Sequence, residues 1–285
     1  MKYRIIQYIQ PWEIDDLERQ IHTMLLSNYY LDTNDTVVWD VTLNVSDTIV
    51  DWNTTKLPKS FFLEKFDYLR KLVNQYYVAE FDTDTSIQGC TDKRRSCQPK
   101  KHDFVIWLDS DVYFSHLTLP YLILSSKSVE TSYFMISPEI IRYWDSSWDS
   151  IVNKQFLTQP HNHRDYFDSY SIEHLIETNE IQLKLNYEIK FGGGWFNLFS
   201  ADVFEKIPLP LELGAYASDD TYIMMCSKKH NLQQFVLTGI FVTEIGNRYL
   251  DGKNYLKNHI SVIITDRNRI SEELFHKLIN EYYQS

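Results

Sequence analysis

The stretch Phe104-Val105-Ile106-Trp107-Leu108, followed at once by Asp109-Ser110-Asp111, constrains this chain more than any other. Successive side chains of a strand point to opposite faces, so an unbroken apolar run reads as a strand covered on both sides, the habit of parallel strands in α/β sheets. Such a strand delivers its last side chains to the carboxyl edge of the sheet, where open α/β folds bind ligands. Two carboxylates crowded there repel each other unless a proton or a cation intervenes, and hard divalent ions such as Mg²⁺ or Mn²⁺ favour oxygen ligands of this kind. Asp and Ser are also ordinary turn residues, so the motif taken alone reads equally well as a strand meeting a turn.

The flanking segments supply the rest of an α/β pattern. Residues 3–9 and 37–43 read as strands, and Tyr76 to Phe81 as a third. Between them, Ile14 to Leu31 and Phe61 to Gln75 carry apolar residues at helical spacing, with Asp15, Asp16 and Glu18 in the first turn of the former, where the helix dipole favours acids. The alternation β, α, β, α, β before the Asp-x-Asp strand predicts an open, mostly parallel central sheet with helices on its faces. Beyond it, Leu117 to Lys127 reads as a helix, Tyr133 to Ser137 as a strand stopped by Pro138, Leu232 to Glu244 as one strand or two, and Ser271 to Tyr283 as a closing helix. At 285 residues the chain suits one large domain, with 1–114 as the half ending in Asp-x-Asp and 115–285 as a second half.

A net charge of −11 argues against a surface that embraces nucleic acid or an anionic membrane. The dense basic cluster is Lys93-Arg94-Arg95, followed by Lys100-Lys101-His102, in a polar connection from Asp82 to Lys101. It reads as a solvated loop, or as a clamp for an anionic acceptor. Cys90, Cys97 and Cys226 show no zinc-like spacing and leave one thiol over in any disulfide scheme, which favours a reducing, cytoplasmic location. No run approaches the ~18 apolar residues of a membrane span, and the Asn-x-Ser/Thr triplets at Asn34, Asn44 and Asn53 read as chance.

Two later stretches bear on chemistry. Phe191-Gly192-Gly193-Gly194-Trp195-Phe196 interrupts an apolar strand with three glycines, which costs stability and marks a bulge or a place where a ligand approaches the backbone. Further on, Ser218-Asp219-Asp220 opens an apolar helix, where Ser218 is a competent cap and acids stabilise the first turn by ~0.3–1 kcal/mol each. His161-Asn162-His163 reads as a polar loop, since no third ligand is fixed by spacing.

In this order, the Asp109-Ser110-Asp111 strand end, the Gly192–Gly194 strand and the Asp219-Asp220 helix start resemble the motifs of GT-A-fold glycosyltransferases over roughly residues 1–260. The resemblance implies a metal-dependent transfer of a sugar from a nucleotide diphosphate, most often UDP, to an acceptor hydroxyl. It implies Mn²⁺ or Mg²⁺ on Asp111, with Asp109 touching the metal or the ribose and His259 as a further ligand. Gly193, Gly194 and Trp195 would shape the donor-sugar pocket, and Gln10, Pro11 and Trp12 would lie beside the base. The acidic pair is similar to the motif of inverting members, whose last acid takes the acceptor's proton; here that is Asp220, beside Asp219. The His-x-x-Gly-x-x-Lys-Pro-Trp signature of one retaining group is missing.

The acceptor stays open among glycan, protein, lipid and nucleic-acid base; Lys93, Arg94 and Arg95 are the features that favour an anionic one. Two other classes compete. A haloacid-dehalogenase-type phosphatase also uses an apolar strand and Asp-x-Asp, but places Thr or Val where this chain has Tyr113. A non-catalytic sugar-binding protein would keep the aromatic residues without turnover.

Overall fold

Nine strands join in one sheet in the computed structural model, which describes residues 1–53, 55–96, 102–141, 181–185, 195–215 and 219–244, with 273, 274, 276 and 277 of a later helix. The first half runs β1 (Lys2–Ile9), α1 (Ile14–Ser27), β2 (Thr36–Leu43), α2 (Lys59–Val73), β3 (Val78–Asp82), α3 (Cys90–Arg95) and β4 (Phe104–Leu108). Then follow β5 (Val112–Phe114), α4 (Thr118–Ser128), β6 (Phe134–Ile141), β7 (Gln182–Leu185), β8 (Phe196–Ser200), α5 (Asp202–Lys206), α6 (Asp219–Lys229) and β9 (Gln233–Glu244).

The strand order is β3-β2-β1-β4-β8-β6-β9-β5, with β7 also paired to β9. Strands β1 to β4 are mutually parallel, and β6 and β9 pair in parallel, while β8, β5 and β7 run antiparallel to their neighbours. The sheet is thus the mostly parallel, helix-flanked α/β arrangement that the sequence predicts. Because β2 lies on one side of β1 and β4 on the other, the strand order reverses at β1, and the crevice for ligands opens at the carboxyl ends of β1 and β4.

The apolar run of β4 is divided between two cores by strand alternation. Phe104, Ile106 and Leu108 join the core under α1, α2 and α4, whereas Val105 and Trp107 join a second core with Phe199, Phe204, Ile223 and Met224. Helix α1 buries Ile14, Leu17, Ile21 and Met24 and α2 buries Phe62, Phe66, Leu69 and Val73, each set spaced three or four residues apart. The face of β1, β2 and β3 turned away from these helices carries a charged cluster beside Ile6 and Val38. There Arg4 pairs with Asp40 and Glu80, and Lys93 with Asp40 and Asp82, beside a cavity of about 760 Å³ that His102 also lines.

Several boundaries differ from the sequence reading for identifiable reasons. Helix α1 gives way after Ser27 to a 3-10 turn over Asn28–Tyr30. The third strand starts at Val78, because Asn74 to Tyr76 still donate to carbonyls of α2. Pro138 does not stop β6: the strand continues to Ile141, and the residue that lacks an N–H sits where the register with β9 shifts. The connection expected to be a loop from Asp82 to Lys101 contains α3. Asn44, in one of the Asn-x-Ser triplets, is buried and donates to Gln10 Oε1 at 2.8 Å. The two-His loop and the segment 142–180 lie outside the described residues.

The division of β4 between two cores sets its sensitivity. Ile106→Ala is expected to lower unfolding free energy by ~2–5 kcal/mol, as large-to-small changes at fully buried sites do. Leu124→Ala, at a side chain 62% exposed on α4, should stay within ~0.5 kcal/mol. Urea unfolding of both variants measures the contrast, and equal losses would contradict the burial of Ile106.

Candidate active site

The carboxyl edge of β4 carries the Asp109-Ser110-Asp111 turn into β5. Its first backbone N–H donates to the carbonyl of Trp195 at 3.0 Å, so the residue after the glycine run adjoins the first acid of the turn. Trp195 is buried. Gly193, Gly194 and His259 lie outside the described residues.

A third acid, which the sequence reading did not single out, converges here. Gln10 and Glu13 close the start of the short 3-10 turn after β1: Gln10 N–H donates to Glu13 Oε2 at 2.6 Å, and Glu13 N–H to Gln10 O at 2.9 Å. This turn brings Glu13 against Ser110, whose hydroxyl hydrogen-bonds to it. Burial pushes the Glu13 carboxyl up to about 8, against the opposing Gln10 hydrogen bond, and the negative charges of Asp111 and Asp109 add to the rise. Burial, then the neighbouring Asp109 charge, pushes Asp111 up to about 7. The visible signal was an acid four residues past the end of the first strand, too common a pattern to stand out without the fold.

The basic triplet is not a solvated loop. Lys93 and Arg94 are 4% and 5% exposed, and each residue of the triplet is bound to a different wall of the protein. Lys93 reaches Asp40 on β2 and Asp82 on β3. Arg94 lies over the Trp107 ring, 4.6 Å from its centroid, and its guanidinium donates to Asp109 and, at 2.9 Å, to Asp219 Oδ2. Arg95 donates to the carbonyls of Leu209 at 3.2 Å, Pro210 at 2.9 Å and Gly214 at 2.8 Å. In addition, Thr91 N–H donates to Ala215 O at 2.9 Å, tying the start of α3 to the segment that leads to α6. The expectation that Lys93, Arg94 and Arg95 form a clamp facing an acceptor therefore gives way to a different geometry, in which they fasten strands, turn and helix together.

Arg94 unites the two acidic motifs. Asp109 ends β4, Asp219 opens α6, and one guanidinium holds both. Asp219 is buried, whereas its neighbour Asp220 is partly exposed. Asp109 feels burial raising its pKa and Arg94 pulling it down. Among the described residues no three acid, His or Cys side chains form a group that could hold a metal by themselves. Mg²⁺ is commonly held by one or two carboxylates, with substrate phosphates and waters completing the shell, and Asp111 beside Asp109 fits that demand; burial and then the Asp109 charge raise the Asp111 pKa, and a cation would offset that charge.

If Arg94 is structural in this way, Arg94→Met should destabilise the protein by ~3–5 kcal/mol, because it strands buried negative charge. Arg94→Lys should recover only part of that loss, since an ammonium lacks the planar fork that spans two carboxylates. Thermal unfolding reads both. Unchanged melting in Arg94→Met would return the residue to a ligand-facing role.

The sequence matches no protein-family model, and comparison with curated proteins finds no match. Among solved structures the chain is similar to GalNAc-T7 with UDP, GalNAc and Mn²⁺, at 12% identity and a TM-score of 0.53, over 86% of this chain and 43% of that one. It also matches S. aureus TarS 1–349 at 14% identity and a TM-score of 0.47, over 86% of this chain and 60% of that one. The same TarS segment in complex with UDP-GlcNAc matches at 16% identity and a TM-score of 0.44, over 86% and 59% of the two chains. The chain thus spans at most 60% of the length of these three structures. The likeness to GalNAc-T7, together with the strand order, establishes a GT-A-like α/β fold.

Proposed function

We propose that this protein transfers a sugar from a nucleotide diphosphate, a UDP-sugar, to an acceptor hydroxyl with inversion, using Mn²⁺ or Mg²⁺. The observation that carries the reading is the Arg94 bridge: it brings the Asp109-Ser110-Asp111 turn and the Asp219-Asp220 helix start, far apart in sequence, to one side of the crevice at the carboxyl edge. A donor diphosphate and an acceptor hydroxyl need just such neighbouring groups. The UDP and Mn²⁺ in the GalNAc-T7 structure support the choice of donor and cofactor.

In this proposal Asp111 holds the metal, with Asp109 and His259 contributing to the metal or to the ribose. The metal, when bound, supplies positive charge for the diphosphate leaving group. Gly193, Gly194 and Trp195 line the donor sugar, and Gln10, Pro11 and Trp12 flank the base. Asp220, next to the anchored Asp219 and itself partly exposed, takes the proton from the acceptor hydroxyl. Asp219 orients it from the Arg94 ion pair. The acceptor class stays open among glycan, protein, lipid and nucleic-acid base, and Lys93 and Arg94, engaged inside the protein, do not favour an anionic one.

Two measurements test this. Calorimetry with UDP should show binding with Mn²⁺ that chelation removes, and Asp111→Asn should bind UDP weakly under both conditions; equal binding after chelation refutes the metal's role. In transfer assays Asp220→Asn should lose ~10²–10⁴-fold in turnover with donor affinity intact. Asp219→Asn should instead lower the melting temperature, having left Arg94 short of a partner. An Asp220→Asn enzyme with full turnover would end the inverting reading, as would a product that keeps the donor's anomeric configuration.

A further inference from the structure

Three buried side chains join the middle of the sheet to the Asp-x-Asp turn. Trp39 on β2 donates its indole Nε1–H to Gln7 Oε1 at 3.1 Å. Gln7 on β1 donates Nε2–H to Gln20 Oε1 at 2.6 Å. Gln20 on α1 then donates from Nε2 to the carbonyl of Asp109 at 2.8 Å and to the carbonyl of Val112 at 2.9 Å. Gln7 and Gln20 are 1% and 3% exposed and Trp39 is fully buried, so no solvent competes for these bonds.

The direction of this chain is dictated at both ends. An indole N–H only donates, so Gln7 must turn its oxygen to Trp39 and its NH₂ to Gln20. Gln20 must then turn its oxygen back to Gln7 and its NH₂ forward. Backbone carbonyls only accept, and two of them receive its two hydrogens. Neither amide has a second orientation that keeps every bond, and so an ordinary ambiguity of glutamine side chains is removed by the network itself.

The two carbonyls belong to the first and last residues of the four-residue segment from Asp109 to Val112. That segment carries Asp109 and Asp111 and lies against Glu13, so its backbone sets how closely three carboxyl groups approach one another. Arg94 restrains the side chain of Asp109, whereas Gln20 holds the backbone at both ends of the segment. We propose that Gln20, oriented by Gln7 and Trp39, is a positioning residue that pins both ends of the Asp-x-Asp turn and so sets where the Asp111 carboxylate is presented. For the use made of that carboxylate, the inference rests on the glycosyl-transfer reading; for the pinning itself it does not.

The test has a structural readout and a functional one. In ¹⁵N spectra of the unmodified protein, both Gln20 side-chain amide hydrogens should exchange with solvent far more slowly than those of exposed Gln75; equally fast exchange overturns the proposal without any variant. Gln20→Met keeps the volume and removes both donors. Hydrogen exchange at Ser110 to Val112 should then accelerate ~10-fold or more, and Mn²⁺-dependent UDP affinity should fall ~10–100-fold, the usual effect of removing an outer-shell support. Gln7→Met, which frees the Gln20 amide to turn, should shift both readouts in the same direction by less. Ile21→Val, on the same helix and fully buried, is the control for general loosening and should change neither. Faster exchange in the turn of a protein that binds no UDP would keep the pinning and discard glycosyl transfer. Unchanged exchange in Gln20→Met, with UDP binding present, would discard the pinning and keep glycosyl transfer, and an effect as large in Ile21→Val would reduce it to loosening of α1.

Discussion

The site depends on one buried cation. Arg94 is held between Asp109 at the end of β4 and Asp219 at the start of α6, with the Trp107 ring against its guanidinium. A charge taken out of water at this depth is tolerable only when it is fully paired, and the pairing here spans the junction between the first half of the sheet and the helix that brings in the second acidic motif. Burial raises the Asp109 pKa while Arg94 opposes it, so the cation both orients that carboxylate and favours its ionised form. The same helix spreads its neighbours to other walls, Lys93 to β2 and β3 and Arg95 to the carbonyls ahead of α6. A six-residue helix cannot bury much apolar surface; it is fastened by charges and carbonyls instead.

Around this anchor the carboxyl edge concentrates negative charge. Glu13, Asp109 and Asp111 come from the turns after β1 and β4, the two strands at which the sheet order reverses. Burial first, and then the neighbouring carboxylates, account for the raised Glu13 and Asp111 values, and a bound cation would offset the repulsion. The scaffold opposes the same repulsion with fixed donors: Arg94 on one side chain, and the Gln20 amide on the backbone at both ends of the turn. A turn that crowds carboxyl groups can present them in a defined place when the neighbouring elements supply donors that do not have to reorganise.

The charged cluster on β1, β2 and β3 follows from the same economy of charge. Arg4 on β1 and Lys93 on α3 lie among Asp40, Glu80 and Asp82 of β2 and β3, so two cations pair with three carboxylates there. β1 also sends Ile6 into the second core, while β4 and β8 contribute to both cores.

By itself the sequence determined the α/β class, the order of the first strands and helices, and the place of Asp109 and Asp111 at a strand end. These follow from local periods, two residues for a strand and three to four for a helix, and from the unbroken run at Phe104 to Leu108, which needs cover on both faces. Asp219 and Asp220 were legible as a helix start for the same local reason. The partners were not. Lys93-Arg94-Arg95 read as a solvated run or an acceptor clamp, because nothing local reveals that carboxylates from β2, β3, the turn after β4 and α6 will meet them. Glu13 and Gln20 were equally silent, one in a short turn and the other on the inner face of a helix where an apolar residue is the rule. Only the tertiary structure decided their roles, since the free energy of a buried charge or amide is set by the groups that surround it after the chain has closed, and those groups come from distant parts of the sequence.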